Sequence, residues 1–130
     1  MLSHVMIGTN NIESAKNFYN SVLAVLGIKA AKVNVNETGQ TRLFYVQDRS
    51  IFCVTEPING MPANSANGFT IGFSCSSPEQ VKEFHDVAIA NGAVSVEDPP
   101  GIRDNSTGKK FSCYFLDPDG HKVCGLHLIT

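Results

Sequence analysis

The chain has 130 residues, enough to bury one real core. Hydrophobic content of 42% against 17% charged places it with ordinary globular proteins, not disordered or fibrous ones. A formal net charge of −2, with no basic stretch denser than Lys109-Lys110, excludes the basic face that a nucleic-acid partner requires.

No apolar run is long enough to cross a bilayer. Met1 to Thr9 lacks the basic and apolar segments of a signal peptide. The expectation is a cytoplasmic protein that meets a small ligand, with neither nucleic acid nor membrane as partner.

Ser3 to Thr9 alternates in hydrophobicity and predicts a strand. Asn10 and Asn11 offer cap oxygens, and Glu13 follows Asn10 by three, as in a capping box. The helix that follows places Ile12, Ala15, Phe18, Tyr19, Val22, Leu23 and Leu26 on one stripe. Gly27 ends it, at a position where glycine takes the left-handed backbone cheaply. Three β-like runs follow, at Lys29–Asn36, Thr41–Gln47 and Ser50–Thr55, separated by turn residues.

The stretch from Glu56 to Asn67 is rich in Pro, Asn, Gly and Ser and reads as a linker. The pattern then restarts. Gly68–Cys75 predicts a strand, and Ser77-Pro78-Glu79-Gln80 is a strong helix start with its cap, first-turn proline and glutamine in place. Val81, Phe84, Val87, Ala88 and Ile89 form the stripe, and Gly92 ends the helix. Strands are predicted at Ala93–Glu97, Lys109–Leu116 and Lys122–Ile129. A loop is predicted at Asp98–Gly108, and a hairpin turn at Asp117-Pro118-Asp119-Gly120.

Strand, helix, three strands therefore occurs twice. The predicted fold is α+β: two βαβββ modules forming a curled antiparallel sheet around a concave cavity, helices on the outer face. Module one covers residues 1–56, the linker 57–67 and module two 68–130, together one domain.

The four cysteines, Cys53, Cys75, Cys113 and Cys124, form no CxxC pair, and each lies in a predicted strand. That is the pattern of buried free thiols in a reducing compartment.

Several segments in order carry a family resemblance: His4-Val5-Met6-Ile7, Ile12 to Tyr19, Val22-Leu23 to Leu26-Gly27, Gly68–Phe73, Phe84-His85 to Gly92-Ala93, and Phe115 to Val123 through Asp117-Pro118-Asp119-Gly120-His121. Over nearly its whole length the chain resembles the glyoxalase / bleomycin-resistance / extradiol-dioxygenase superfamily. The resemblance implies the paired-module fold, a ligand cavity, and dimers in which the cavity is in some cases shared between chains.

In metal-using members, the first and last strand of each module supply four ligands to one divalent ion. Carried over residue by residue, those positions fall on His4, Cys53, Thr70 and Cys124. His4 alone matches the types that the family uses, histidine or glutamine from a first strand and glutamate from a last. Hard ions want carboxylate oxygens, and this set offers none. A site made from His4, Cys53 and Cys124 would be soft and suit zinc. The same cysteines also read as small buried hydrophobes, or as a thiolate paired with His4. His4 reads equally as a structural histidine.

Strand alternation adds Met6, Gly8, Ile51, Thr55, Gly72, Ser74 and Leu126 to the inward face. The ligand cavity is thus expected to be lined by His4, Met6, Cys53, Thr55, Thr70, Gly72, Cys124 and Leu126. Such a lining suits an uncharged or weakly polar organic molecule. The preferred reading is a small-molecule binding or sequestering protein, a homodimer, without a metal cofactor. The alternative is a divalent-metal lyase, dioxygenase or thiol transferase using His4. Arg103 reads either as a cover for the pocket or as a solvated loop residue. His121, after the turn glycine, reads as exposed, while His85 and His127 carry no assigned function.

Overall fold

A computed structural model describes residues 1–129. Thr130, the last residue assigned to module two, lies outside them.

Asn11, not Asn10, caps the first helix: its side-chain oxygen accepts from the Ser14 N–H at 3.0 Å. The capping box expected from Asn10 and Glu13 is not the arrangement found: the cap lies one residue later, the Asn11 N–H donates to the Thr9 hydroxyl, and Asn10 is engaged elsewhere. Its amide brackets Ala63 of the linker, donating to the Ala63 carbonyl at 2.9 Å and accepting from its N–H at 2.7 Å. The second helix starts as read, with Ser77 capping the Gln80 N–H at 3.1 Å and Pro78 in the first turn.

The first module runs β1 (Val5–Gly8), α1 (Ile12–Ala24), β2 (Lys32–Val35), β3 (Thr41–Gln47) and β4 (Ser50–Thr55). The second runs β5 (Ile71–Ser74), α2 (Pro78–Ala90), β6 (Val94–Ser95), β7 (Gly101–Asn105), β8 (Gly108–Leu116) and β9 (Lys122–Leu128). The α+β class and the doubled strand–helix–strands order are those read from the sequence. The sheets are two, open and mixed. Their orders are β1-β4-β3-β2 and β5-β9-β8-β6, with β7 also on β8. β1 lies parallel to β4, and β5 parallel to β9. Each module's opening strand is returned to its sheet by the helix crossover, and the remaining strands meander antiparallel.

The expected loop at 98–108 is a correction. Gly101–Asn105 forms a strand on β8, with Arg103 opposite Lys110 and Asp104 opposite Lys109. Ser106 and Thr107 make the turn between them, and Gly108, at φ +113, opens β8 opposite Asn105.

One core serves both modules. On the helix side, Ile7, Phe52, Val54, Leu43 and Tyr45 of the first sheet pack on Phe18, Tyr19, Val22 and Leu23 of α1. In the second module, Val123, Cys113 and Phe115 pack on Val81, Phe84 and Ala88 of α2. Phe18 meets Phe115 with ring centroids 6.2 Å apart, and Phe52 meets Phe73 edge-on at 5.3 Å. Residues of opposite parity therefore lie on the open face of each sheet, away from this shared core. Among the described residues no helix is long and apolar enough to cross a membrane.

Candidate functional site

Where the opening strands of the two modules face each other, a groove of about 540 Å³ runs between them. Leu26, Ile28, Tyr45, Phe52, Phe69, Ile71 and Phe73 give it apolar walls. Ser3, His4, Gln47, Ser50, Thr70 and Ser74 set polar groups along it. Apolar walls with a few convergent polar groups are the composition of small-molecule sites. Gly72 widens it: a Cβ built there meets nothing nearer than the Cys124 Cβ, at 4.0 Å.

Three of the eight residues read from the sequence as cavity-lining meet in this groove: His4, Thr70 and Gly72. The other five lie on the open sheet faces. Met6 pairs with Cys53, and Thr55 with Gly8, on the first sheet. Cys124 pairs with Gly72 and Leu126 with Ser74 on the second. The groove also takes in Phe52, Phe73 and Tyr45 from the core side, which the sequence reading did not assign to the site.

At the four positions where relatives hold a metal, the donors do not fit a divalent ion. His4 is exposed, and its Nδ1 lies 2.8 Å from the Ser3 hydroxyl. Burial pushes the Cys53 and Cys124 thiols upward in pKa. Arg42 beside Cys53 and the Tyr114 hydroxyl beside Cys124 offset this only in part. Thr70 supplies a neutral hydroxyl. Among the described residues no three of His, Cys, Asp and Glu gather as a metal site would require.

Arg103 is neither a pocket cover nor a loose loop residue. Its guanidinium donates to the carbonyls of Asp98, Pro99, Gly101 and Ser112 at 2.7 to 3.1 Å, and lies over the Tyr114 ring. It shapes the turn into β7. Lys122 stacks on the same ring and pairs with Glu97.

The histidines divide differently from the sequence reading. His121 is buried, not exposed, and its Nε2 lies 2.7 Å from the Gly8 carbonyl. His85 bridges from α2 to the Ser95 hydroxyl of β6 at 2.8 Å, and His127 meets the Cys75 carbonyl at 3.1 Å.

Two modules that each open strand–helix and close on a run of strands, sharing one core with a groove between their opening strands, define a paired-module α+β fold. The family model for the Glyoxalase/Bleomycin resistance protein/Dioxygenase superfamily matches residues 1–124, and the chain belongs to that superfamily. A glyoxalase/bleomycin resistance protein from Albidiferax ferrireducens T118 is 46% identical, with 98% of each chain covered and a TM-score of 0.89. A glyoxalase/bleomycin resistance protein/dioxygenase family enzyme from Burkholderia phytofirmans PsJN is 18% identical over 98% of each chain, at TM-score 0.71. A glyoxalase family protein from Enterococcus faecalis is 22% identical, covering 97% of this chain and 96% of that one, at TM-score 0.66. The latter two share the fold. No match was found among curated proteins.

Proposed function

We propose that the protein binds and sequesters a small, uncharged or weakly polar organic molecule, without a metal, in the groove between its two modules. The observation that carries this reading is the groove itself. Its walls come from Phe52, Phe69 and Phe73, and its polar groups are hydroxyls, an amide and one imidazole, with no lysine, arginine or carboxylate. A dense anion would find no counter-charge there, whereas an aromatic molecule with a hydroxyl or carbonyl would find both stacking surface and hydrogen bonds.

The metal-free part of the reading rests on the donor chemistry at His4, Cys53, Thr70 and Cys124. The set holds no carboxylate, and among the described residues no three of His, Cys, Asp and Glu gather in reach of one ion. A homodimer is part of the proposal. Met6, Val46 and Ile51 leave apolar surface on the open face of the first sheet, at 40%, 45% and 37% exposure, which a second copy would cover. Four unpaired cysteines suit a reducing cytoplasm.

The test uses 1-naphthol as probe, by isothermal titration, on the wild type and on Gly72→Leu. A Cβ at Gly72 meets nothing nearer than the Cys124 Cβ at 4.0 Å, so the variant is expected to keep its fold, checked by circular dichroism, and to narrow the groove. Saturable binding lost in Gly72→Leu is the expected result; equal binding by both overturns the site. Metal analysis of protein purified without added metal is the companion measurement. A stoichiometric divalent ion that disappears in His4→Ala would overturn the metal-free reading.

A further inference from the structure

The sequence holds three Asn-Gly pairs, Asn59-Gly60, Asn67-Gly68 and Asn91-Gly92, and the fold treats them differently. Asparagine followed by glycine is chemically labile, because the unhindered glycine nitrogen can attack the side-chain amide carbon. Attack requires that this nitrogen and that amide be free to approach each other.

At two of the pairs both partners are engaged. The Gly60 N–H donates to the Pro57 carbonyl at 3.1 Å, and the Asn59 side-chain oxygen accepts from the Met61 N–H at 2.9 Å. The Gly92 N–H donates to the Ile89 carbonyl at 3.2 Å, and the Asn91 side chain donates to the Val87 carbonyl at 2.8 Å. Among the described residues neither the Gly68 N–H nor the Asn67 side chain has a hydrogen-bond partner. Both residues are exposed. They form the two central positions of a turn closed by the Phe69 N–H on the Ala66 carbonyl at 3.1 Å, with Gly68 at φ +94.

We propose that Asn67 is a site of spontaneous covalent modification: deamidation through a cyclic imide, ahead of the other two Asn-Gly pairs. The Gly68 nitrogen forms a bond to the Asn67 Cγ, and the Cγ–Nδ2 bond breaks. Ammonia leaves, carrying away the Gly68 amide proton. Water then opens the five-membered imide at either carbonyl. One opening leaves an aspartate, and the other an isoaspartate whose chain runs through the side-chain carbon. No oxidant, reductant or cofactor takes part.

Each product places one new negative charge two residues before Phe69 and three before Thr70, both of which line the groove. The isoaspartate also lengthens the backbone by one carbon at the entry to β5. The modification thus ages the very edge that the proposed ligand groove depends on, and only this consequence rests on that functional reading.

The test is incubation of the full-length folded chain in mildly alkaline buffer, followed by peptide mass spectrometry of all three pairs. Ion-exchange chromatography is run against Asn67→Asp as the marker for the charged product. Conversion at Asn67 several-fold faster than at Asn59 and Asn91, with a product co-eluting with the marker, is the expected result. Conversion at Asn59 or Asn91 as fast as at Asn67 overturns the proposal. Incubation in denaturant serves as the control, where the three rates should converge; a preference for Asn67 that persists unchanged there overturns the structural cause. The 1-naphthol titration repeated on aged protein is a separate readout. Loss of naphthol binding in the unaged wild type speaks against the groove and leaves the mass measurement intact.

Discussion

Tyr19, in α1, donates a 2.5 Å hydrogen bond to Oδ2 of Asp117, 98 positions later in the turn between β8 and β9. The other oxygen of Asp117 accepts from the N–H groups of Asp119 and His121, each at 2.9 Å. Asp119 in turn accepts from the Thr9 hydroxyl at 2.6 Å and the Asn10 N–H at 2.9 Å. His121 closes the set on the Gly8 carbonyl, and since a carbonyl only accepts, its Nε2 carries the proton. The Asp-Pro-Asp-Gly-His turn of one module is therefore the clamp that holds the β1–α1 junction of the other. With the aromatic contacts between the modules, this clamp ties the two opening strands to each other.

Removing the Tyr19 hydroxyl tests the clamp. In Tyr19→Phe the ring still fills its place against Phe18 and Phe52, at centroid distances of 4.9 and 5.0 Å. Asp117 stays buried but loses one donor. Leaving a buried acceptor short of a partner costs about 1–3 kcal/mol. Urea unfolding should show a lowered midpoint at an unchanged denaturant slope, the shift times the slope giving that loss. A midpoint equal to the wild type would mean that water replaces the hydroxyl.

Asp117 also makes the clamp sensitive to pH. Burial raises its carboxyl above the usual range, although the hydrogen bonds from Tyr19 and His121 pull it back in part. A carboxyl whose folded value lies above its unfolded value binds its proton more tightly in the folded state. Stability therefore falls as pH rises from the ordinary carboxylate value through the raised one: the contribution is fully present below that window and lost above it. Asp117→Asn keeps an acceptor for the two backbone N–H groups and removes the charge. Melting temperatures measured across mildly acidic pH should decline less steeply toward neutrality in Asp117→Asn than in the wild type. Parallel curves would sink the assignment.

The element order was legible because each helix carries its own signals: Ser77 and Pro78 at one start, Gly27 and Gly92 at both ends, and apolar stripes between. Gly27 and Gly92 take φ of +78 and +101, the conformations that such stops require. What was not legible depends on distant partners. Gly101–Asn105 contains Arg, Asp and Asn and follows two prolines, so nothing local favours a strand; pairing with β8 makes it one. His121 sits beside turn residues that normally face water, and the surface burying it lies 113 positions away in β1. The groove followed the same rule. The resemblance assigned His4 and Thr70, and alternation Gly72, to a shared site, but how two sheets meet at their edges is set by aromatic packing between modules, which strand parity does not encode.

Gly125 shows how tightly β9 is packed on α2. A Cβ there would lie 2.7 Å from Cδ2 of Phe84 and 3.1 Å from Sγ of Cys113. Both neighbours are fully buried, so neither moves freely. Gly125→Ala should destabilise the fold by about 1–3 kcal/mol, the usual cost of overpacking a filled core. Thermal unfolding measures it directly. Gly125→Ala combined with Phe84→Leu should recover part of the loss, and failure to recover would place the strain elsewhere in the core.

The cysteines make an opposite kind of prediction, about chemistry that should not occur. Desolvation pushes the Cys75 thiol to about 11 and the Cys113 thiol to about 12, and raises Cys53 and Cys124 as well. A thiolate is the reactive species, so at neutral pH almost none is available in the folded chain. Labelling with a thiol-reactive disulfide reagent should be slow for all four in the native protein and fast for all four in denaturant. The same shifts predict that stability declines as pH climbs from the ordinary thiol value toward the raised ones, since the unfolded chain releases those protons first. One cysteine reacting rapidly in the native state would show an activated thiol, and with it a nucleophile for covalent chemistry. If that cysteine were Cys53 or Cys124, and if its rate fell in His4→Ala, the binding-only reading of this protein would give way to a thiol enzyme.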